Sequence, residues 1–152
     1  MKKAFKIIGK ILLVIIILLI IFLLIVFTYN KIMMNKENAL LDEPLGEMIE
    51  VDGHNMCIYS EGEGKHTLVF LSGSGTASPI LDFRSLYSLL VDDYRIVVVE
   101  KFGYGFSDVV NTERSFDTIL KQDREALSKA GIDAPFILCP HSMSGLEAIL
   151  WA

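Results

Sequence analysis

Residues 135–145 read PFILCPHSMSG, an apolar run followed by a turn of small residues around Ser142. The run has the length and composition of a β-strand, and SGLEAILWA at 144–152 begins a helix. Small residues, Pro140 and Ser144, lie two positions on either side of Ser142. A sharp strand-to-helix turn needs small residues there because the two backbones nearly touch, and such a turn exposes the central hydroxyl. The stretch therefore predicts a strand–turn–helix unit with Ser142 as a candidate nucleophile.

Two more strand–helix units precede this stretch. The continuous apolar runs HTLVFL at 66–71 and YRIVVVE at 94–100 are typical of strands buried on both faces, and so is the run before Ser142. A helix with Ser78 as its N-cap is predicted after the first run, and a helix between Ser115 and Gly131 after the second. Alternating strands and helices of this kind predict a parallel sheet with right-handed crossovers and helices on both faces.

A hairpin is predicted before the first buried strand. Residues 47–64 contain two short extended runs around Asp52 and Gly53, a dipeptide that favours a tight turn. The hairpin would add antiparallel strands at one edge of the sheet. The predicted fold class is therefore α/β, with a mostly parallel sheet over residues 47–152.

The N-terminal region has a different composition. Residues 11–27 read ILLVIIILLIIFLLIVF, without a charged or polar side chain. With its flanks, this run reaches the roughly 20 helical residues that cross a bilayer. We predict a basic N-terminus at 1–10, a transmembrane helix at 11–29 and a juxtamembrane linker at 30–46. A cleaved signal peptide is the alternative, but the run exceeds the roughly 7–15 apolar residues of such peptides, and no small-x-small cleavage site follows.

The distribution of charged residues predicts the orientation of the chain and disfavours one class of partner. Four lysines precede the apolar run and two follow it closely, so the positive-inside rule predicts a cytoplasmic N-terminus and an extracytoplasmic domain at the cell membrane. Removing those four lysines from the fourteen basic residues leaves ten against nineteen acidic ones, a formal charge of −9. Nucleic acid is therefore disfavoured as a partner. The expected partner of residues 11–29 is the lipid bilayer.

Cysteines and histidines give no sign of a metal or cofactor. Cys57 and Cys139 lie in short apolar segments and are expected to be buried packing residues, not a disulfide. His54, His66 and His141 form no metal-ligand spacing with them. His141 is adjacent to Ser142, but sequence neighbours leave a strand end in divergent directions, so we expect it not to be the base.

Three turns rich in glycine and serine follow the parallel strands, where sites form in open sheets. They are SGSGTASP after Leu71, KFGYGFSD after Glu100, and PHSMSG after Cys139. The N–H of Met143, at the start of the last helix, is a candidate donor to an oxyanion, and the second donor is expected to be the N–H of Ser74.

These turns resemble three motifs of the α/β-hydrolase family. VFLSGSG resembles the strand and His-Gly turn, VVEKFGYGFSD the Asp-x-x-Gly-x-Gly-x-Ser turn, and PHSMSG the Gly-His-Ser-Met-Gly-Gly elbow. The resemblance covers residues 47–152. Ser72 replaces the usual histidine and Glu100 the usual aspartate, while Pro140 and Ser144 replace glycines of the elbow.

The resemblance implies acyl transfer to water from a small-molecule or peptide substrate carrying an ester, thioester or amide. Ser142 would be the nucleophile, and the N–H groups of Ser74 and Met143 would form the oxyanion hole. The family order of serine, acid and histidine places both partners downstream, and this sequence continues for ten residues past Ser142. We therefore expect a truncated part of a membrane-anchored serine hydrolase that lacks the acid and histidine. The alternative is a catalytically inactive, membrane-anchored binding module.

Overall fold

The computed structural model describes residues 2–38 and 41–152. The chain divides into two compact units, Met1–Glu43 and Pro44–Ala152, which are described separately.

The first unit is a single helix, α1 (Lys2–Asn38). At the usual rise per residue it is about 55 Å long. Within Lys6–Asn38 it is long and apolar enough to cross a membrane, with a mean hydropathy of 3.8 over an 18-residue window, a property that signal sequences share. The helix continues beyond the predicted span because the residues after it, NKIMMNKEN, contain no proline or glycine to end it. The first part of the predicted linker is thus helical, and residues 39–40 of that linker lie outside the described residues.

The second unit is built on one five-stranded sheet in the order β1-β2-β4-β3-β5. The strands are β1 (Glu47–Val51), β2 (His54–Glu61), β3 (His66–Leu71), β4 (Tyr94–Glu100) and β5 (Phe136–Pro140). β3 pairs in parallel with both β4 and β5, whereas β2 pairs antiparallel with β1 and β4. Among the described residues the sheet is thus mixed, with two parallel and two antiparallel pairings, and the predicted antiparallel hairpin at one edge is confirmed.

The hairpin turn has the geometry that its sequence predicts. Asp52 has a φ of 50° and Gly53 a φ of 77°, both in the left-handed region. A two-residue hairpin of type I′ requires positive φ at both positions, because its twist then matches that of the strands.

Three helices cover the two faces of the sheet: α2 (Pro79–Tyr87), α3 (Phe116–Lys129) and α4 (Ser144–Trp151). Side chains of β4 alternate between the faces, so that Ile96 and Val98 pack with α2, whereas Val97 and Val99 pack with α3. Trp151 of α4 packs on the same side as α3. Helices on both faces are therefore confirmed.

Two details differ from what the sequence patterns suggest. Ser78 occupies the N-cap position of α2, but its hydroxyl makes no capping bond and instead donates to a carboxylate oxygen of Glu100, 2.9 Å away. β5 is not buried on both faces, and Ile137 is 50% exposed. In the described part of the chain, β5 pairs with β3 and with no other strand. The expectation for the cysteines holds in part, since both thiols are free, with Cys57 buried and Cys139 half-buried.

Candidate active site

The turn between β5 and α4 is strained at Ser142. This residue has a φ of 57°, in the left-handed region that non-glycine residues rarely adopt, and it is exposed. The backbone N–H of His141 donates to the carbonyl of Leu71, 2.9 Å away, which fastens the turn to the end of β3. The N–H of Gly145 donates to the carbonyl of Ser142 at 3.0 Å and closes the first turn of α4.

Ser144, where the family has glycine, is integrated into this turn. It is fully buried, and its Oγ accepts from the N–H of His141 at 2.8 Å. The same hydroxyl is 2.6 Å from the carbonyl of Leu71, to which it donates. The serine therefore links the turn to β3 through hydrogen bonds that glycine lacks.

The loop after β3 is in direct contact with the turn that carries Ser142. A Cβ placed on Gly73 would lie 2.7 Å from the Cβ of Ser142 and 3.2 Å from its Oγ. Ser74 follows Gly73 and is exposed, and Met143 is 50% exposed. Among the described residues, neither the N–H of Ser74 nor that of Met143 is engaged in a hydrogen bond. The structure thus brings the two loops that carry the predicted donors together.

The turn after β4 is organised by the buried carboxylate of Glu100. This carboxylate accepts from the N–H of Phe106 at 2.7 Å and from the N–H of Ile80 at 3.3 Å, in addition to the Ser78 hydroxyl. A Cβ on Gly105 would collide with it, so this position needs glycine. Glu100, which replaces the usual aspartate of this motif, therefore connects the turn to the start of α2.

Tyr104 connects the same turn to the loop after β3. Its phenolic oxygen accepts from the N–H of Gly75 at 3.4 Å. Tyr104 thus supports the loop that contains Ser74.

Two of the three histidines contact residues other than Ser142. The ring of His141 packs edge-on against Phe83, with ring centroids 6.1 Å apart. His54 begins β2, three strands from β5, which corresponds to about 14 Å at the usual strand spacing. Its Nδ1 is 4.0 Å from a carboxylate oxygen of Asp108. His66 begins β3 and lies at the opposite end of the sheet.

Beneath the loops lies a buried ionic cluster that sequence reasoning missed. The Lys101 ammonium pairs with the carboxylate of Glu147, and these side chains are only 5% and 4% exposed. The same ammonium donates to the carbonyl of Ser72, 2.8 Å away. Asp123 of α3 is fully buried, and neither of its carboxylate oxygens has a hydrogen-bond partner in the described part of the chain.

Burial raises the pKa of Asp123 to about 7, while the nearby Lys101 ammonium lowers it. The sequence does contain a sign that Asp123 is buried. Asp123 lies three residues after Leu120 and four before Leu127, on the apolar stripe of its helix. An acidic residue on a core-facing stripe indicates a buried charge.

Within residues 2–38 and 41–152, no group of three or more histidine, cysteine, aspartate or glutamate side chains is arranged to hold a metal ion. Cys57 lies in the core, and burial raises the pKa of its thiol to about 12, so it is not a reactive thiolate. The site is therefore described by its serines, its backbone N–H groups and the buried charges below them.

Solved structures with the same arrangement of strands and helices identify the fold. An α/β-hydrolase fold protein from Burkholderia ambifaria superimposes with a TM-score of 0.61 at 22% identity, covering 69% of this chain and 37% of that one. The domain has an α/β-hydrolase fold. A meta-cleavage product hydrolase from Pseudomonas fluorescens gives a TM-score of 0.62 at 22% identity, and the match covers 71% of this chain and 40% of that one. An epoxide hydrolase from Vigna radiata gives a TM-score of 0.59 at 21% identity, and the match covers 69% of this chain and 34% of that one.

The α/β-hydrolase domain described here corresponds to roughly a third of these neighbours' chains. In sequence, the chain is similar to the uncharacterized protein YbdG of Bacillus subtilis, with 43% identity over all 152 residues, which cover 46% of YbdG. A second uncharacterized protein of the same organism, YqjL, is 27% identical over 94 residues, 62% of this chain and 36% of YqjL. The chain thus spans less than half the length of these curated relatives. No protein-family model matches the sequence.

Proposed function

We propose that the whole protein is a membrane-anchored serine hydrolase in which Ser142 transfers an acyl group to water. The observation that carries this proposal is the strained, exposed Ser142 in contact with the loop after β3. A left-handed φ costs a non-glycine residue on the order of 1–3 kcal/mol. A turn kept only for packing would be more stable with glycine at this position, so the hydroxyl itself accounts for the serine.

In the proposed reaction, the Oγ of Ser142 attacks the carbonyl carbon of the substrate and loses its proton to a general base. The carbonyl oxygen becomes an oxyanion and receives hydrogen bonds from the N–H groups of Ser74 and Met143. Collapse of the tetrahedral intermediate expels the alcohol, thiol or amine, which takes up the proton. Water then hydrolyses the acyl-enzyme. The family order assigns the base and its acid to residues downstream of Ser142.

The proposed setting is the outer surface of the cell membrane. α1 would be an uncleaved signal anchor with its basic end in the cytoplasm. The substrate would be a small molecule or peptide with an ester, thioester or amide bond, and the formal charge of −9 after the apolar run disfavours nucleic acid.

A fluorophosphonate probe tests the nucleophile in the whole protein, in its native membrane. We expect labelling of the wild type and of Ser128→Ala, a matched change at an exposed serine of α3. We expect no labelling of Ser142→Ala, because the attacking oxygen is absent. Continued labelling of the Ser142→Ala protein would rule out the assignment.

The second candidate function is a catalytically inactive, membrane-anchored binding module. The departures from the family motifs favour it, because Ser72 replaces the usual histidine of the first turn and Glu100 the usual aspartate of the second. An unlabelled wild-type protein that remains folded would support this alternative.

Topology is tested separately with a cysteine at position 36, after Cys139 has been replaced by alanine. An impermeant thiol reagent should label Lys36→Cys in intact cells. Labelling only after the cells are broken would contradict the proposed orientation.

A further inference from the structure

The buried lysine at the end of β4 joins three segments of the domain. Lys101 follows Glu100, the last residue of β4. Its ammonium contacts the carbonyl of Ser72, in the loop after β3, and the carboxylate of Glu147, in the helix after the Ser142 turn. The two segments that would form an oxyanion hole are therefore connected through one cation.

We propose that Lys101 is a positioning residue that fixes the loop carrying Ser74 relative to Ser142, with Glu147 as its partner. The proposal rests on the proposed function in so far as this loop forms an oxyanion hole. Lys101 does not touch the site of reaction, since its ammonium is bound to the Ser72 carbonyl below the loop.

The loop needs such an anchor because of its composition. It contains Gly73 and Gly75, and Gly75 has a φ of 79°. Glycine permits many backbone conformations, so the direction of the Ser74 N–H is not fixed by local preferences. The Lys101 ammonium holds the residue before Gly73, and the Tyr104 hydroxyl holds the N–H of Gly75. Ser74 lies between these two attachments.

A role in stability alone explains the ion pair less well. Replacing a buried ion pair by apolar side chains of similar size is often neutral or stabilising, whereas removing one partner leaves an uncompensated charge. A double replacement by methionine should therefore preserve the fold while releasing the Ser72 carbonyl. The double variant therefore tests the position of the loop without changing the stability of the domain.

The experiment compares the wild type with Lys101→Met/Glu147→Met in the whole protein. We expect a similar melting temperature, but at least tenfold faster amide hydrogen exchange in the peptide that contains residues 72–77. With an ester substrate, we expect kcat to fall about 10- to 100-fold with KM nearly unchanged, because an oxyanion donor acts mainly in the transition state.

A matched control is available on the surface of α3. The Lys129 ammonium also contacts one carboxylate, that of Glu125 at 2.7 Å, and one backbone carbonyl, that of Glu50 at 2.8 Å. Lys129→Met/Glu125→Met should leave both the loop exchange and kcat at the wild-type values.

The two proposals fail in different ways. Unchanged exchange and unchanged kcat in the Lys101→Met/Glu147→Met protein overturn the positioning role, while wild-type hydrolysis upholds the proposed function. A wild type without hydrolysis, together with faster loop exchange in the double variant, overturns the proposed function but supports the anchoring of the loop. If the double variant does not fold, the exchange rate of the Lys101 ammonium protons is measured instead, in the wild type labelled with ¹⁵N-lysine. Slowly exchanging ammonium protons on Lys101 support the anchor, and rapid exchange overturns it.

Discussion

Gly73 lies so close to Ser142 that a Cβ on the glycine would come within 2.7 Å of the serine Cβ. The same Cβ would be 2.9 Å from the carbonyl oxygen of His141. Contacts this short do not occur between well-packed atoms, so the absence of a side chain at Gly73 permits the approach of the two loops. The candidate site therefore depends on a contact between segments about 70 residues apart in the sequence.

The first prediction concerns this contact. Gly73→Ala should lower the free energy of unfolding by about 1–3 kcal/mol, because the added methyl group forces the loops apart. It should also slow fluorophosphonate labelling of Ser142 more than tenfold, by displacing the N–H of Ser74. Urea unfolding and labelling time courses measure the two effects.

Gly145→Ala is the matched control on the other side of Ser142. Its Cβ would have no neighbouring atom within 4 Å, and the residue lies in α4. Alanine is favoured over glycine in helices, so we expect unchanged or slightly increased stability and unchanged labelling. Equal effects of the two substitutions would contradict a specific role for the Gly73 contact.

The second prediction concerns the backbone strain at Ser142. Ser142→Gly should raise the free energy of unfolding by about 1 kcal/mol, because glycine adopts a positive φ without a steric penalty. Ser142→Ala should give no such gain, since alanine keeps the penalty. Denaturant unfolding of the wild type and the two variants measures the free energies of unfolding. Both variants should also lose labelling by the fluorophosphonate probe. Stabilisation by alanine as well as glycine would show that the strain is not stored in the backbone.

The third prediction concerns the buried carboxyl of Asp123. Burial raises its pKa from 3.8 to about 7, with Lys101 and Arg114 lowering it and Glu147 raising it. Between these pH values the folded protein holds a proton that the unfolded chain releases. The free energy of unfolding therefore falls as pH rises from about 4 to about 7, by an amount on the order of 4 kcal/mol from this group.

Asp123→Asn removes this titration, so the decline in unfolding free energy between those pH values should become shallower. Asp133→Asn, at an exposed position, should retain the wild-type slope. Urea unfolding from pH 4 to pH 8 measures the three profiles. A profile of Asp123→Asn that parallels the wild type would show that the carboxyl of Asp123 does not bind a proton in this range.

Much of the fold follows from local patterns in the sequence. The continuous apolar runs at 66–71 and 94–100 are strands, and the Asp52-Gly53 turn has the positive φ values that a two-residue hairpin requires. The strand–turn–helix unit around Ser142 also follows, because small neighbours and a strained centre are properties of a short stretch. Each of these features depends on residues a few positions apart, whose conformational preferences the sequence expresses directly.

Only the tertiary structure decided which distant residues meet. The place of β3 between β4 and β5 brings the end of β3 beside the turn that carries Ser142. The pairing of Lys101 with Glu147 joins residues 46 positions apart, and the burial of Asp123 beside them depends on how α3 packs on the sheet. Local preferences determine the secondary structure of each segment. The burial of apolar surface between segments then determines which segments pack together, and this packing sets the environment of each buried charge.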